Sequence, residues 1–282
     1  MRVMASAILY QKFMKISIPP GKICHIKILY RGGTAMCHYI YIPRGYTTMR
    51  MRKKKHGAER IEACSELLIK TLPVTRESAA ADFGRGGELR LEIGCGKGAF
   101  IRGTAVKEPD VNFIALERCS DVAMIAMEKC KAAEIPNVRF MIGDVAKLAE
   151  NFTDGSIDRI YLNFSDPWPK AGHAKRRLTY RSFLSEYRRL LKPGGAIFFK
   201  TDNRGLFDFS LEEFRECGWR LEDITYDLHN SEYNADNVMT EYEKNFSERG
   251  FTINRVEAYA DPLPEKAPET DIPDDHSGTP SD

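Results

Sequence analysis

From Leu89 onward, short runs of β-branched and aromatic residues alternate with segments whose apolar positions recur at helical spacing. Five runs read as strands: Leu89–Ile93, Val111–Glu117, Val138–Ile142, Ile157–Asn163 and Ala196–Lys200. Helical patterns fall between them, near Ala99–Val106, Asp121–Ala133 and Tyr180–Leu191. The last is closed by Lys192-Pro-Gly-Gly195, which stops a helix and turns the chain. A further helix at Phe207–Cys217 precedes two strands near Trp219–Tyr226 and Phe251–Tyr259. Alternation of this kind predicts an α/β fold, a mostly parallel seven-stranded sheet flanked by crossover helices.

The pattern fails before this region. Residues 1–48 mix apolar, basic and Gly/Pro residues with no sustained period, and they are expected to be a leader or an over-extended start ahead of Met49 or Met51. Residues 49–88 read as a basic arm and helix, 89–260 as the catalytic domain, and 261–282 as an acidic tail with almost nothing apolar to bury. At 282 residues and 43% hydrophobic content the chain can build a sizeable core. The net charge of +2 hides an asymmetry, because no acid occurs before Glu59 while Arg50, Arg52, Lys53, Lys54 and Lys55 form a basic run. Such a run is a solvated arm or a grip on phosphates.

Seven cysteines with no Cys-x-x-Cys pair exclude a recognisable zinc pattern, so no metal is expected. Their odd number, without a secretory signal, points to reduced thiols and a cytoplasmic protein. Val3–Tyr10 is too short to span a membrane.

Gly94, Gly96 and Gly98 lie where the first strand meets the first helix, a turn at which backbone passes close to a cofactor. The spacing differs from the Gly-x-Gly-x-x-Gly of dinucleotide sites. Glu92, Glu117 and Asp144 end three successive strands, where open α/β sheets bind ligands. Each acid alone reads equally as a cap or turn residue. A carboxylate beside the loop would repel a pyrophosphate, and it favours a cofactor with cationic groups such as S-adenosylmethionine. In this acidic first-strand motif the chain resembles the class I methyltransferases, which have a Rossmann-like fold.

After the fourth strand comes Asp166-Pro-Trp-Pro-Lys170, a turn that two prolines stiffen, followed by His173 and Lys175-Arg-Arg177. Trp168 stacks on a base or packs into the core. Together with Met49-Arg-Met-Arg-Lys-Lys-Lys55, Lys200-Thr-Asp202 and Thr240-Glu-Tyr-Glu243, this segment closely resembles the tRNA (guanine-N7-)-methyltransferase family. Gly172 stands where the family usually has Arg. The resemblance implies methyl transfer from S-adenosylmethionine to N7 of guanine 46 in the tRNA variable loop. It implies that Glu92, Glu117, Asp144 and Asp166 bind the cofactor beside the glycines, with Asp166 catalytic. Lys170, Asp202, Thr240, Glu241, Tyr242 and Glu243 would bind the substrate, and Arg52, Lys53, Lys175, Arg176 and Arg177 would hold its phosphates.

Guanine N7 carries an in-plane lone pair, so attack on a sulfonium methyl needs no deprotonation, and Asp166 is expected to position the base and stabilise its growing positive charge. Asp202 or Glu243 could accept from guanine N1–H and the amine, or serve as a cap or surface residue. Three other readings remain: an amino-methyltransferase, which would also use a polar turn after the fourth strand, a nicotinamide oxidoreductase, which would show Gly-x-Gly-x-x-Gly, and a non-catalytic RNA-binding module that kept the fold. No obligate protein partner is evident, and a monomer or homodimer is expected.

Overall fold

The computed structural model describes Ile23–Leu29, Ala35–Tyr41 and residues 54–260. The chain divides into two compact units, Met1–Arg52 and Lys53–Asp282. In the first, β1 (Ile23–Leu29) pairs antiparallel with β2 (Ala35–Tyr41), from Ile23 opposite Tyr41 to Leu29 opposite Ala35. Although residues 1–48 show no sustained period, Ile23, Ile26, Ile28, Tyr39, Ile40 and Tyr41 supply the β-branched and aromatic content that strands favour. Arg52, Lys53 and the acidic tail lie outside the described residues.

The second unit is the expected sheet. Its strands are β3 (Leu89–Ile93), β4 (Asn112–Glu117), β5 (Val138–Ile142), β6 (Ile157–Asn163), β7 (Leu191–Thr201), β8 (Arg220–Thr225) and β9 (Asn254–Tyr259), in spatial order 5-4-3-6-7-9-8. The first five in that order run parallel, while β9 is antiparallel to both β7 and β8. The helices are α1 (Gly57–Glu62), α2 (Arg76–Phe83), α3 (Ala99–Lys107), α4 (Ser120–Ala132), α5 (Leu148–Asn151), α6 (Arg181–Leu190), α7 (Arg204–Glu216) and α8 (Glu241–Ser247).

Period-two alternation splits the core in two. Leu89, Leu91 and Ile93 join Ile160, Leu162, Ile197 and Phe199 on the face covered by α2, α6 and α7. Phe113, Ala115 and Tyr161 face the other way, against Phe100, Ile101, Ala126 and Met127 of α3 and α4. Every residue of β3 is buried, which places Glu92 inside the molecule on the α3 side.

One turn behaves differently from its sequence reading. Leu191 pairs with Ile157 and Ala196 with Arg159, so residues 192–195 form a bulge opposite the single Asp158. Lys192-Pro-Gly-Gly195 therefore lies inside β7 instead of linking helix to strand. Gly194 takes φ +75°, and a Cβ on Gly195 would stand 2.9 Å from the Lys192 carbonyl oxygen.

Candidate active site

The turn from β3 to α3 is built from glycines in left-handed conformations, with φ +80° at Gly94, +55° at Gly96 and +77° at Gly98. Gly98 has a second reason to be glycine, since a Cβ there would approach the Ala126 Cβ to 2.8 Å and push α3 off α4. Gly94 and Gly96 have open space where a Cβ would stand, which leaves their backbone accessible to a ligand. The amides of Gly94 and Cys95 donate to the Leu116 carbonyl at 2.8 and 3.1 Å, and that of Gly96 donates to Glu117 Oε2 at 3.1 Å. Glu117 Oε1 accepts from the Cys119 amide at 2.8 Å. Glu117 thus braces the loop from the end of β4.

Glu92 is only 1% exposed. Its Oε1 accepts from Asn163 Nδ2 at 3.0 Å, while Oε2 is buried with no partner. Burial pushes its carboxyl up to about 7, although the Asn163 hydrogen bond and Lys200 oppose this. An acid left half-satisfied inside a protein is primed for a donor or cation. Asp144 lies just past the end of β5 and caps the turn Val145–Lys147, accepting from the Ala146 amide at 3.0 Å. The cap interpretation therefore describes the contact it makes.

A cleft of about 360 Å³ joins Glu92, Gly94 and Gly96 to Phe164 and to Thr240, Glu241 and Tyr242 at the start of α8. Distant motifs meet here. Tyr242 donates its hydroxyl to Asp202 Oδ2 at 3.3 Å and lies 5.1 Å from the ring of Phe164. Burial raises the Asp202 carboxyl, a backbone hydrogen bond and the Tyr242 hydroxyl opposing it. Glu241 pairs with Lys129 of α4 and with Lys97 of the glycine loop, at 3.6 Å for the latter, and so ties α8 to the loop.

Glu243 departs from its expected place on the substrate. It is fully buried, accepting from Lys200 Nζ at 2.8 Å, from Asn237 Nδ2 at 2.7 Å and from the Thr240 amide at 3.4 Å, with His229 Nε2 at 2.9 Å. Thr240 accepts in return from the Glu243 amide at 2.8 Å, closing a capping box. Burial works against the Glu243 charge, yet Lys200 and these donors outweigh it and hold the carboxyl below its usual range. Every lone-pair direction is taken internally, so the carboxylate has nothing left to offer a bound base. Asn163, Lys200, Asn237 and His229, none of them expected among the site residues, complete this arrangement. The sequence signal was the Thr-x-x-Glu spacing of a capping box, and Asn163 could be found as the polar end of an otherwise apolar strand.

Asp166 is exposed and forms no hydrogen bond or ion pair among the described residues, two positions after the cleft residue Phe164. The turn that carries it is held open by backbone in the left-handed region at Phe164 (φ +54°) and Trp168 (φ +41°). Such strain at non-glycine residues costs about 1–3 kcal/mol each and clusters at functional sites. Trp168 is half-buried, with His173 edge-on at 5.7 Å and the Arg176 guanidinium 4.9 Å above its ring. Arg177 turns inward, donating to the carbonyls of Pro167 and Trp168 at 3.1 and 3.0 Å and stacking on Phe209. Its expected phosphate role gives way to bracing the turn, because both carbonyls take their donors from its guanidinium. Lys170, Lys175 and Arg176 are exposed and free of ion pairs among the described residues.

The sheet order, with a glycine loop and a buried acid at the carboxyl end of β3, defines the class I methyltransferase fold. A crystal structure of the 16S rRNA methyltransferase KamB superposes with a TM-score of 0.51 at 12% identity, covering 70% of this chain and 99% of that one. Residues 87–256 match the family described as a putative methyltransferase. A tRNA (guanine-N(7)-)-methyltransferase of Lactococcus lactis subsp. cremoris (strain SK11) is 46% identical over 211 residues, 74% of this chain and 97% of that protein. One from Brevibacillus brevis is 53% identical over 176 residues, 62% of this chain and 82% of its own. This chain belongs to the tRNA (guanine-N7)-methyltransferase family.

Proposed function

We propose that this protein transfers a methyl group from S-adenosylmethionine to N7 of guanine in tRNA, at position 46 of the variable loop, in the cytoplasm. The observation that carries the reading is the meeting of the glycine loop and half-satisfied Glu92 with Thr240 to Tyr242 around one cleft, with Asp202 joined to it by the Tyr242 hydroxyl. Relatives matched over nearly their whole length are named tRNA (guanine-N(7)-)-methyltransferase, which supports methylation of tRNA at guanine N7.

The residues fit the cofactor. The orphan Glu92 Oε2 suits a cationic amine, Gly94 and Gly96 allow close approach of the backbone, and about 360 Å³ is within the range of small-molecule sites. Glu117 and Asp144, at the ends of the next two strands, are the acids that would meet its ribose and adenine. When bound, the cofactor supplies an electrophilic methyl on a sulfonium. The chain's own work is alignment. Asp202 and Tyr242 form one wall that would orient the base through its Watson–Crick edge. Asp166, on its strained turn, would face the imidazole ring and stabilise positive charge arriving there. Lys170, Lys175 and Arg176 would take phosphates, while Arg177 keeps the turn in shape.

The test is incubation with methyl-labelled S-adenosylmethionine and unmodified tRNA, with the label mapped by cleavage at N7-methylguanine. Cleavage at the variable-loop guanine is expected; label elsewhere, or none from a folded protein that binds the cofactor, would refute the assignment.

A further inference from the structure

A second cavity, of about 440 Å³, lies on the α3 face of the sheet over β6, β7 and β9. It shares Phe100 and Asn163 with the cofactor cleft and plays no part in the methyl transfer proposed above. Most charges on its walls are already matched. Lys107 pairs with Asp236 at 2.8 Å, Glu108 with Arg90, Lys200 with Glu243, and Arg255 with Glu257. Arg159 is the exception: among the described residues no carboxylate lies within ion-pairing distance, and its guanidinium rests 4.1 Å over the ring of Phe198 and interacts with the Tyr161 hydroxyl. On the α3 wall of the same cavity, Thr104 is 4% exposed and its Oγ1 is buried without a hydrogen-bond partner. Phe100 and Tyr161, edge to face at 5.0 Å, and Tyr233, with the Arg255 guanidinium 4.9 Å over its ring, also line the cavity, together with Asn163, Asn237 and Val238.

A guanidinium with no carboxylate partner among the described residues and an unfilled hydroxyl ask for an oxyanion. Aromatic walls ask for a flat ring, and the volume falls in the range of ligand sites. We propose that this cavity binds a nucleoside monophosphate group, with the phosphate on Arg159 and Thr104 and the base among the aromatic rings. The group is either a nucleotide of the RNA substrate or a free nucleotide, since both present the same chemistry. Occupancy would be felt in the cofactor cleft, because Asn163 holds Glu92 and Phe100 walls both spaces.

The experiment titrates the full-length protein with uridine 5′-monophosphate by calorimetry, without S-adenosylmethionine or tRNA. Its base matches neither the adenine of the cofactor nor a target guanine. Nucleotide binding is thereby read separately from methyl transfer, so either reading can fail without the other. Saturable binding is expected, weakened about tenfold in Arg159→Ala, the loss of one charge-assisted phosphate contact, and several-fold in Thr104→Val. Both variants should retain wild-type affinity for S-adenosylmethionine, which certifies their fold. No binding by the wild-type protein, or binding indifferent to both substitutions, would overturn the proposal. Equal competition by inorganic phosphate would overturn the nucleotide assignment. Displacement of uridine monophosphate by tRNA, with a raised KM for tRNA in Arg159→Ala, supports the site and identifies the RNA as its source. Simultaneous binding with tRNA and an unchanged KM supports it and identifies a free nucleotide.

Discussion

Glu92 and Glu243 are the same residue type, both essentially without solvent exposure and both within the field of Lys200, yet they are driven in opposite directions. Glu243 sits among Lys200, His229, Asn237 and its own helix N-terminus, and stays ionised. Glu92 has Asn163 and an orphan oxygen, and its carboxyl rises to about 7. Burial is common to both; the number of donors decides. A completed shell marks an acid that holds the structure together, and an incomplete one marks an acid awaiting a ligand.

The sharpest way to break this contrast is to remove Glu243. Glu243→Ala leaves the Lys200 ammonium buried without its carboxylate, and stripping one partner from a buried pair costs about 3–5 kcal/mol. Urea unfolding should show a loss of that size, and Glu243→Ala combined with Lys200→Met should recover part of it. A loss below about 1 kcal/mol would mean that the network does not anchor α8.

Glu92 should behave in the opposite sense with pH. Its folded value near 7 lies above its ordinary value of 4.5, so between these limits the native state holds a proton that the unfolded chain releases. Stability should therefore fall as pH rises from 4.5 to 7, by about 3 kcal/mol from this group, and Glu92→Gln should remove that slope. Glu243, with its depressed carboxyl, contributes stability above its ordinary range that disappears as pH falls through the folded value. A cationic cofactor favours ionised Glu92, so affinity for S-adenosylmethionine should climb about tenfold per pH unit below 7 and then level. A flat calorimetric profile between pH 5.5 and 8 would count against Glu92 as the cation's partner.

Asp166 differs from both in having no internal partner to lose. Asp166→Ala should leave the unfolding midpoint within about 0.5 kcal/mol of wild type and lower kcat about a hundredfold, the usual cost of one preorganised electrostatic contact. Single-turnover methylation and thermal melting separate the two. Retained turnover in the folded variant would remove Asp166 from the mechanism.

Legibility in the sequence followed how local the determining interactions are. β3, β5 and β6 were placed to the residue, because each is a buried run whose apolar content and flanking breakers lie within a few positions. α8 was not foreseen as a helix: Glu241–Ser247 is short and charged, and it is held by the distant residues Lys97, Lys129 and Lys200. Lys192-Pro-Gly-Gly195 carried an unambiguous turn signal, but that the turn would be absorbed into β7 depends on Asp158 of the neighbouring strand. Within the site, the resemblance led to Glu92 and Tyr242, which the fold brings to one cleft, and to Asp202, which accepts from the Tyr242 hydroxyl. It also included Glu243, whose capping-box spacing pointed inward. The partners that tell Glu92 from Glu243 come from other elements, so no local pattern could have separated the two acids.

The same distinction between a completed and an open shell divides two adjacent arginines, where the expected effects are smallest. Arg177 spends its donors on the Pro167 and Trp168 carbonyls, whereas Arg176 lies over the Trp168 ring and pairs with no acid among the described residues. Arg177→Ala should loosen the strained turn and therefore act on kcat, with the salt dependence of tRNA binding nearly unchanged. Arg176→Ala should leave kcat alone, weaken tRNA binding modestly and lower the slope of log affinity against log salt by about one, the signature of one lost phosphate contact. Filter-binding isotherms across a salt series and saturating-substrate kinetics on both variants test the division. If the slope changed in Arg177→Ala and not in Arg176→Ala, the inward-facing guanidinium would be the one that meets RNA, and the turn would have to open when tRNA binds.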